Sequence, residues 1–383
     1  MLRVLITTQE DFDKMLSSIA GCRALAIDTE FMRDSTYYPK LCLLQLATDD
    51  EEYIVDPLKV PTIRRLGDIL TDSRTVKIFH AGSQDREILF NACGVVATPV
   101  FDTQVAAPLL GLPQHAGYAS VVNVFCDVKL KKSDTLTDWT VRPLTHSQIE
   151  YSLEDVRYLI PMYDIMCEKL ERAGRLHWLD ADFEKMQDPH QFDRHDSELW
   201  HKVKKVNALP RRQLAHASDL AIWRENIARK RDIPRRWVLS DELLIEICKR
   251  EPKTPEELFK IRGAREKLSQ GMAKDVLRLI KTGSEGDPSA WPQSSSGHRS
   301  SPGSDAVADV LMGIVRARAR ENHVAPQVLA VHDDLMKLAG GSRDGLELLE
   351  GWRYELVGRE LVNFLDGEES VRMVDGKLEV GPQ

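Results

Sequence analysis

The sequence predicts a multidomain protein: an α/β domain built on a mixed sheet, followed by two all-α helical domains. Three observations carry that expectation. Strand-length apolar runs alternate with helical stretches over the first hundred residues. Amphipathic segments broken by Pro, Gly and capping residues take over near residue 210. A Ser-, Gly- and Pro-rich tract without apolar periodicity, residues 284–304, then reads as a flexible linker between two helical regions. With 383 residues and 42% hydrophobic content, the chain has enough apolar material for two or three cores.

In chain order, the expected strands are ALAIDTEF, KLCLLQLAT, EEYIVDP, TVKIFHAG and TPVFDTQ, with helices around 9–20, 61–71 and 84–93. Alternation in the first strand puts Ala24, Ala26, Asp28 and Glu30 on one face and Leu25, Ile27, Thr29 and Phe31 on the other. The bulky face is suited to packing; the small face ends in two acids. HAGSQDREILFNACG reads as a turn and then a helix, with Asp85 in the first turns, where a carboxylate suits the helix dipole. In LTHSQIEYSLEDVRYLIPMYDIMCEKLERAG, Thr145 and Gln148 form a capping box and Gly174 is a stop signal. Ile149, Leu153, Val156, Ile160 and Tyr163 make an apolar stripe, and Pro161 is expected to bend the helix. Tyr151 and Asp155, at i and i+4, project together beside the stripe.

The net charge of −8 is unevenly distributed. Residues 1–200 hold 21 Lys and Arg against 32 Asp and Glu, residues 201–283 hold 21 against 11, and residues 284–383 hold 10 against 17. A basic module thus lies between two acidic ones. The six cysteines show no Cys-x-x-Cys or zinc-ligand spacing and read as reduced packing residues. The opening MLRVLITTQEDFDK turns polar too soon for a signal-peptide core or membrane span, so a cytoplasmic location is expected. No Gly-x-x-x-x-Gly-Lys-[Ser/Thr] loop appears, which argues against ATP chemistry.

Taken singly, Asp28 with Glu30, Asp85, and Tyr151 with Asp155 read as solvated or dipole-complementing surface groups. As one constellation they read differently. DTEF, FHAGSQD and YSLED resemble, in order and approximate spacing, the three motifs of the DEDD exonuclease superfamily. The intervening TYYPKLCLLQLAT, FDTQVAA and KSDTLTDWTVRPLT are similar to the bacterial ribonuclease D family, and Tyr151 four residues before Asp155 marks the tyrosine branch. The resemblance implies a ribonuclease H-like fold, metal ligands Asp28, Glu30, Asp85 and Asp155, and catalysis by these four with Tyr151. Physical chemistry supports the grouping. Carboxylates ~4 Å apart repel by roughly 4 kcal/mol per pair at an effective dielectric of ~20, so the gathering demands cations or protons. An all-oxygen set favours Mg²⁺ or Mn²⁺ over zinc, and the resemblance implies two such ions.

The resemblance also implies that Gln45 contacts the terminal nucleotide, although a satisfied polar core residue fits its strand equally well. Lys132, Trp139 and Arg142 are candidates for phosphate contact or base stacking, with simple packing an equal reading for Trp139. His80, Asp102 and Thr103 are expected to serve the fold.

In the C-terminal half, RENIARKRDIPRRWVLSDELL resembles the HRDC domain, an auxiliary nucleic-acid-binding module. Arg229, Lys230, Arg231, Arg235, Arg236 and Trp237 form its expected RNA-binding patch. RARENHVAPQVLA weakly echoes IARKRDIPRRWVL, which suggests a second, diverged copy. The expected domains are 1–195 (exonuclease), 210–283 (basic HRDC), 284–304 (linker) and 305–372 (second HRDC-like). The expected function is 3′-to-5′ exoribonuclease action on structured RNA, such as tRNA precursors, by a monomer without membrane or ATP. The alternatives are a DNA exonuclease with the same chemistry and a non-catalytic RNA-binding scaffold.

Overall fold

In the computed structural model, which describes residues 2–130, 137–192, 196–292 and 303–382, the N-terminal region forms a six-stranded mixed sheet. Strands β1 (Leu2–Ile6), β2 (Ala24–Met32), β3 (Lys40–Ala47), β4 (Glu51–Val55), β5 (Val76–Phe79) and β6 (Val100–Asp102) lie in the order β1-β4-β3-β2-β5-β6. The pairs β1·β4, β2·β5 and β5·β6 are parallel, whereas β3·β4 is antiparallel. β1 is absent from the expected strands, because five apolar-leaning residues at the chain start carry no turn signal before them. It pairs with β4 from Leu2↔Glu51 to Ile6↔Val55. Helix α1 (Gln9–Ile19) starts at Thr8, whose hydroxyl accepts from the Asp11 backbone N–H, and buries Phe12, Met15, Leu16 and Ile19.

Helix α2 (Ser83–Cys93) follows β5 through a turn in which Ala81 has φ 57°. A Cβ on Gly82 would lie 2.5 Å from the Phe79 side chain, so only glycine fits there. Asp102 holds this turn: its carboxylate accepts from the backbone N–H groups of Ala81 (3.0 Å), Gly82 (2.9 Å) and Gln104 (2.9 Å). The expected long helix after Thr145 is two helices, α3 (His146–Arg157) and α4 (Leu159–Arg172), with the capping box formed as expected. Pro161 lacks an N–H and its ring crowds the carbonyl four residues back, so the ladder breaks at Tyr158, one turn before the proline. Both helices cover a sheet face lined by Ala24, Ala26, Ala47 and Ile78, packing Val156, Leu159, Ile160, Met162 and Met166 against it. The small alanines allow the helices to approach closely.

Two compact units result, and they do not follow the expected modules in series. Residues up to 30, 42–188 and the C-terminal segment from 303 belong to one unit; residues 31–41 and 189–292 belong to the other. The C-terminal segment joins the first unit because four side chains stack across it. Trp178 and Trp352 lie face to face, with centroids 4.2 Å apart and planes 3° from parallel. The Arg175 and Arg353 guanidiniums sit 5.2 and 4.3 Å from the centroids of Trp178 and Trp352, respectively. The Ala325 N–H also donates to the Pro108 carbonyl (2.8 Å).

That segment contains α8 (Ser304–Glu321) and α9 (His332–Ala339) but is not wholly helical: β7 (Glu369–Val374) and β8 (Lys377–Pro382) close it as an antiparallel hairpin. The hairpin supplies Val371, Leu378 and Val380 to the helical core, so a domain ending at 372 would cut through packed structure. Part of the expected linker, residues 293–302, lies outside the described residues.

The other unit is built on α5 (Arg211–Arg231), α6 (Asp241–Arg250) and α7 (Gln270–Glu285). Leu199, Trp200, Val203, Val206 and Leu209 also enter its core, so it begins well before residue 210. At its centre the buried Arg224 guanidinium donates to Asp241 (2.7 Å) and to the Leu239 carbonyl (3.0 Å). The β2–β3 loop docks on the same unit. The Tyr37 hydroxyl donates to Glu225 (2.7 Å) and accepts from Arg229 Nε (3.1 Å), while the N–H groups of Tyr37 and Tyr38 both reach the Asp232 carboxylate (3.0 and 3.1 Å).

Candidate active site

β2 delivers Asp28 and Glu30 from the small face of the sheet, and α3 brings Asp155 over them. Carboxylate oxygens of Asp28, Glu30 and Asp155 all lie within 4.8 Å of one another. No Lys or Arg is among the causes that shift these three acids; burial is the largest cause for each, and neighbouring carboxylates, Glu154 and Asp85 in the case of Asp155, raise them further. Burial, followed by the charges of Asp85, Asp155 and Glu30, pushes Asp28 well above the usual carboxylate range. Burial and the neighbouring carboxylates push Glu30 up to about 8. Asp155 rises to about 7, mainly through burial and partly offset by the Tyr151 hydroxyl that donates to it. Near neutral pH the cluster therefore holds protons or a cation. An oxygen-only donor set with this spacing suits a hard divalent cation.

Asp85 takes a different position. It is buried in the first turn of α2 and accepts a hydrogen bond from the Thr29 hydroxyl, outside the trio of mutually close carboxylates. Its charge still acts on Asp28 and Glu30. Tyr151, one turn before Asp155 on α3, has its phenol raised above the usual range by burial and by the charges of Asp155, Glu30 and Asp28. It therefore stays protonated and acts as a hydrogen-bond donor.

Several expected substrate contacts are instead structural. Arg142 uses all five of its N–H donors within the protein: Nε and one Nη donate to Asp56 (2.7 and 2.8 Å), and the others donate to the carbonyls of Trp139 (2.7 Å), Val141 (2.9 Å) and Cys42 (2.9 Å). No donor remains for a phosphate. Trp139 is 5% exposed, with its ring centroid 6.0 Å from that of Tyr151, so it supports the tyrosine and has no open face for a base. Gln45 is fully buried with both amide atoms unpartnered, which removes it from substrate contact in this conformation. Lys132 lies outside the described residues. Arg229 is tied into the Tyr37 dock, whereas Lys230, Arg231, Arg236 and Trp237 are exposed and Arg235 is half-buried.

Two residues beyond the expected set bear on the site. Thr29 orients Asp85, and its position inside DTEF was a usable signal. Tyr118 donates to the Glu154 carbonyl (2.7 Å) and feels the charges of Asp155 and Asp28, but nothing in its local sequence pattern marks it. As expected, His80 serves the fold: its Nδ1 lies 2.8 Å from the Thr103 hydroxyl and its ring packs edge-on to Tyr118.

Comparisons with known proteins agree with this geometry. A 3′-5′ exonuclease family model matches residues 4–171, and the HRDC domain model matches residues 213–280. Ribonuclease D of Sphingobium indicum is 36% identical over 390 residues, covering 98% of each chain. Ribonuclease D of Bartonella henselae is 34% identical over 377 residues, covering 98% of this chain and 93% of that protein. The crystal structure of Escherichia coli RNase D, described as an exoribonuclease involved in structured RNA processing, superposes with a TM-score of 0.81 at 30% identity, covering 96% of this chain and 99% of that one.

Proposed function

The chain belongs to the ribonuclease D family of 3′-to-5′ exoribonucleases, and from that premise we propose that it trims 3′ ends of structured RNA, tRNA precursors among them. The single observation carrying the site assignment is the trio Asp28, Glu30 and Asp155, whose carboxylate oxygens lie within 4.8 Å of one another, with no Lys or Arg of the described residues among the causes that shift them. The substrate class draws support from the description of the E. coli neighbour.

In this reading Asp28, Glu30, Asp85 and Asp155 would hold two divalent cations, Mg²⁺ or Mn²⁺. When bound, the cations supply electrophilic stabilisation of the phosphate under in-line attack and of the departing oxygen. The Tyr151 hydroxyl gives its single proton to Asp155, so its oxygen is left to accept a hydrogen bond from the attacking water and orient it. Thr29 steers Asp85. The water oxygen bonds to phosphorus and the bond to the preceding 3′-oxygen breaks, which releases a nucleoside 5′-monophosphate and leaves a new 3′-hydroxyl.

The proposal extends to a cytoplasmic monomer acting without ATP, whose segment from 303 is a second HRDC-like module. Among the described residues, no helix is long and apolar enough to cross a membrane. The module reading rests on a repeated order, a long helix, a four-residue helix and a third helix, in Arg211–Arg231, Arg235–Val238, Asp241–Arg250 and again in Ser304–Glu321, Pro326–Leu329, His332–Ala339.

The test compares matched RNA and DNA oligonucleotides with Mn²⁺ and with chelator. Metal-dependent release of 5′-monophosphates from RNA is expected. Faster degradation of DNA would make the protein a DNA exonuclease, and hydrolysis of neither would leave a non-catalytic scaffold.

A further inference from the structure

The basic unit carries a groove that the sequence does not single out. It lies among the start of α5, the loop after α6 and the last turns of α7, and encloses about 610 Å³, within the usual range for a ligand site. Four cations, Arg212, Lys253, Arg278 and Lys281, line it against two acids, Glu251 and Glu285. Leu277 and Ile280 give it an apolar floor.

The helices around this groove meet tightly. Fully buried His216 on α5 lies against Gly283 on α7, where a Cβ would fall 2.7 Å from the His216 Nδ1. Its Nε2 is 3.4 Å from the Ser284 hydroxyl and 3.7 Å from the Glu251 carboxylate, two groups on the groove wall. The concavity is therefore built into the packing and does not depend on surface side chains folding over.

Three of the cations are held only by ion pairs at the surface, Arg212 by Glu251 on the groove wall among them. Arg278 and Lys281 are 70% and 74% exposed, and pair at 3.2 and 3.9 Å with Asp275 and Glu285, which are also exposed. Such surface pairs contribute little to stability, so exchanging them for phosphate costs little. The Arg229 cluster differs: its first cation is bound to Tyr37, about 25 Å along α5 from Arg212 at ~1.5 Å per residue.

We propose that this groove is a binding site for single-stranded RNA, with phosphates on the four cations and sugar and base edges against Leu277 and Ile280. The inference rests on the exoribonuclease reading above and deepens it by locating the contact on the basic unit. The charged contacts are to phosphate and carry no sequence information, so the contact is independent of base sequence.

Fluorescence anisotropy of a labelled RNA of roughly 20 nucleotides, bound to the full-length protein with EDTA present, tests the proposal. Arg278→Glu/Lys281→Glu should weaken binding about tenfold and reduce the slope of log K against log salt by about 1.4, the value for two phosphates of a single strand. Lys230→Glu/Arg231→Glu should weaken it less than threefold. Photocrosslinking of 4-thiouridine RNA to the unaltered protein should label residues 277–285, which keeps the test independent of variant folding. Wild-type affinity in the α7 variant, or crosslinks confined to residues 229–237, would overturn the groove. Absence of metal-dependent RNA hydrolysis in the wild-type protein would instead overturn the underlying function, so the two failures are distinguishable.

Discussion

Two sets of acids in the same sheet are treated in opposite ways. Glu52 on β4 and Asp56 just after it are each 1% exposed, and each meets an arginine through two hydrogen bonds: Arg157 to Glu52 at 2.7 and 3.1 Å, and Arg142 to Asp56 at 2.7 and 2.8 Å. Asp28 and Glu30 on β2, with Asp155 above them, have like charges as neighbours. The fold can place a guanidinium against a buried carboxylate and does so twice within the sheet. Among the described residues, no arginine or lysine appears as a cause that lowers the three acids at the site.

Substitutions can break this contrast from either side. Asp28→Asn should lower kcat at least ~10³-fold, the upper range for losing one electrostatic contact to the reacting group, while the metal-free melting temperature stays level or rises because a repelling charge has gone. Steady-state kinetics and calorimetry with EDTA measure both; a large loss of metal-free stability would reassign Asp28 to a structural role. Arg142→Ala should have the reverse profile, costing about 3–4 kcal/mol of folding stability in urea titrations because Asp56 is left buried without its partner. A small cost would mean that the sheet tolerates unpaired acids generally, and the contrast would collapse.

Tyr151→Phe should slow turnover about 10²-fold without changing metal affinity, since the phenol orients water and holds no cation. Mn²⁺ titration by calorimetry separates the two effects. Next is the pH dependence of the metal-free protein. Glu30 and Asp155 titrate near 8 and 7 when folded, above ordinary carboxylates, so the native state binds more protons than the unfolded chain between about pH 4 and 8. Their contribution to stability is therefore full below about pH 4 and is lost as pH rises through 7–8. Divalent metal at ~100 times its Kd should restore about 2.7 kcal/mol at pH 8 and less at pH 5. Denaturation curves that do not depend on pH in this window would show that the acids are not coupled. The smallest effect is expected for Tyr37→Phe, about 1 kcal/mol from the lost hydroxyl bonds to Glu225 and Arg229.

Strands β2–β6, the acid-bearing face of β2 and the capping box at Thr145 were legible because each depends on local periodicity or a local hydrogen bond, whereas β1 and the β7–β8 hairpin were not. The partners of Arg142 were not legible because a sequence displays a cation but not its acceptors: besides the adjacent Trp139 and Val141 carbonyls, these are Asp56 and Cys42, 86 and 100 residues away. Trp139 failed for the same reason: whether an indole packs or stacks depends on what covers it. The β2–β3 loop could not be assigned to the helical unit from local pattern, since Tyr37 meets Glu225 across 188 positions. The basic groove escaped notice because its cations come from three separated segments, while the eye is drawn to the contiguous run at 229–236.

The Trp178–Trp352 pair has an optical consequence. Two indoles stacked 4.2 Å apart and 3° from parallel are close enough for their excited states to couple, and each is capped by a guanidinium. The pair should give the folded protein a near-ultraviolet circular dichroism band that neither indole has alone. Trp352→Phe should remove that band while the far-ultraviolet spectrum persists, providing a spectroscopic gauge of whether the C-terminal segment is seated on the nuclease domain during unfolding or turnover.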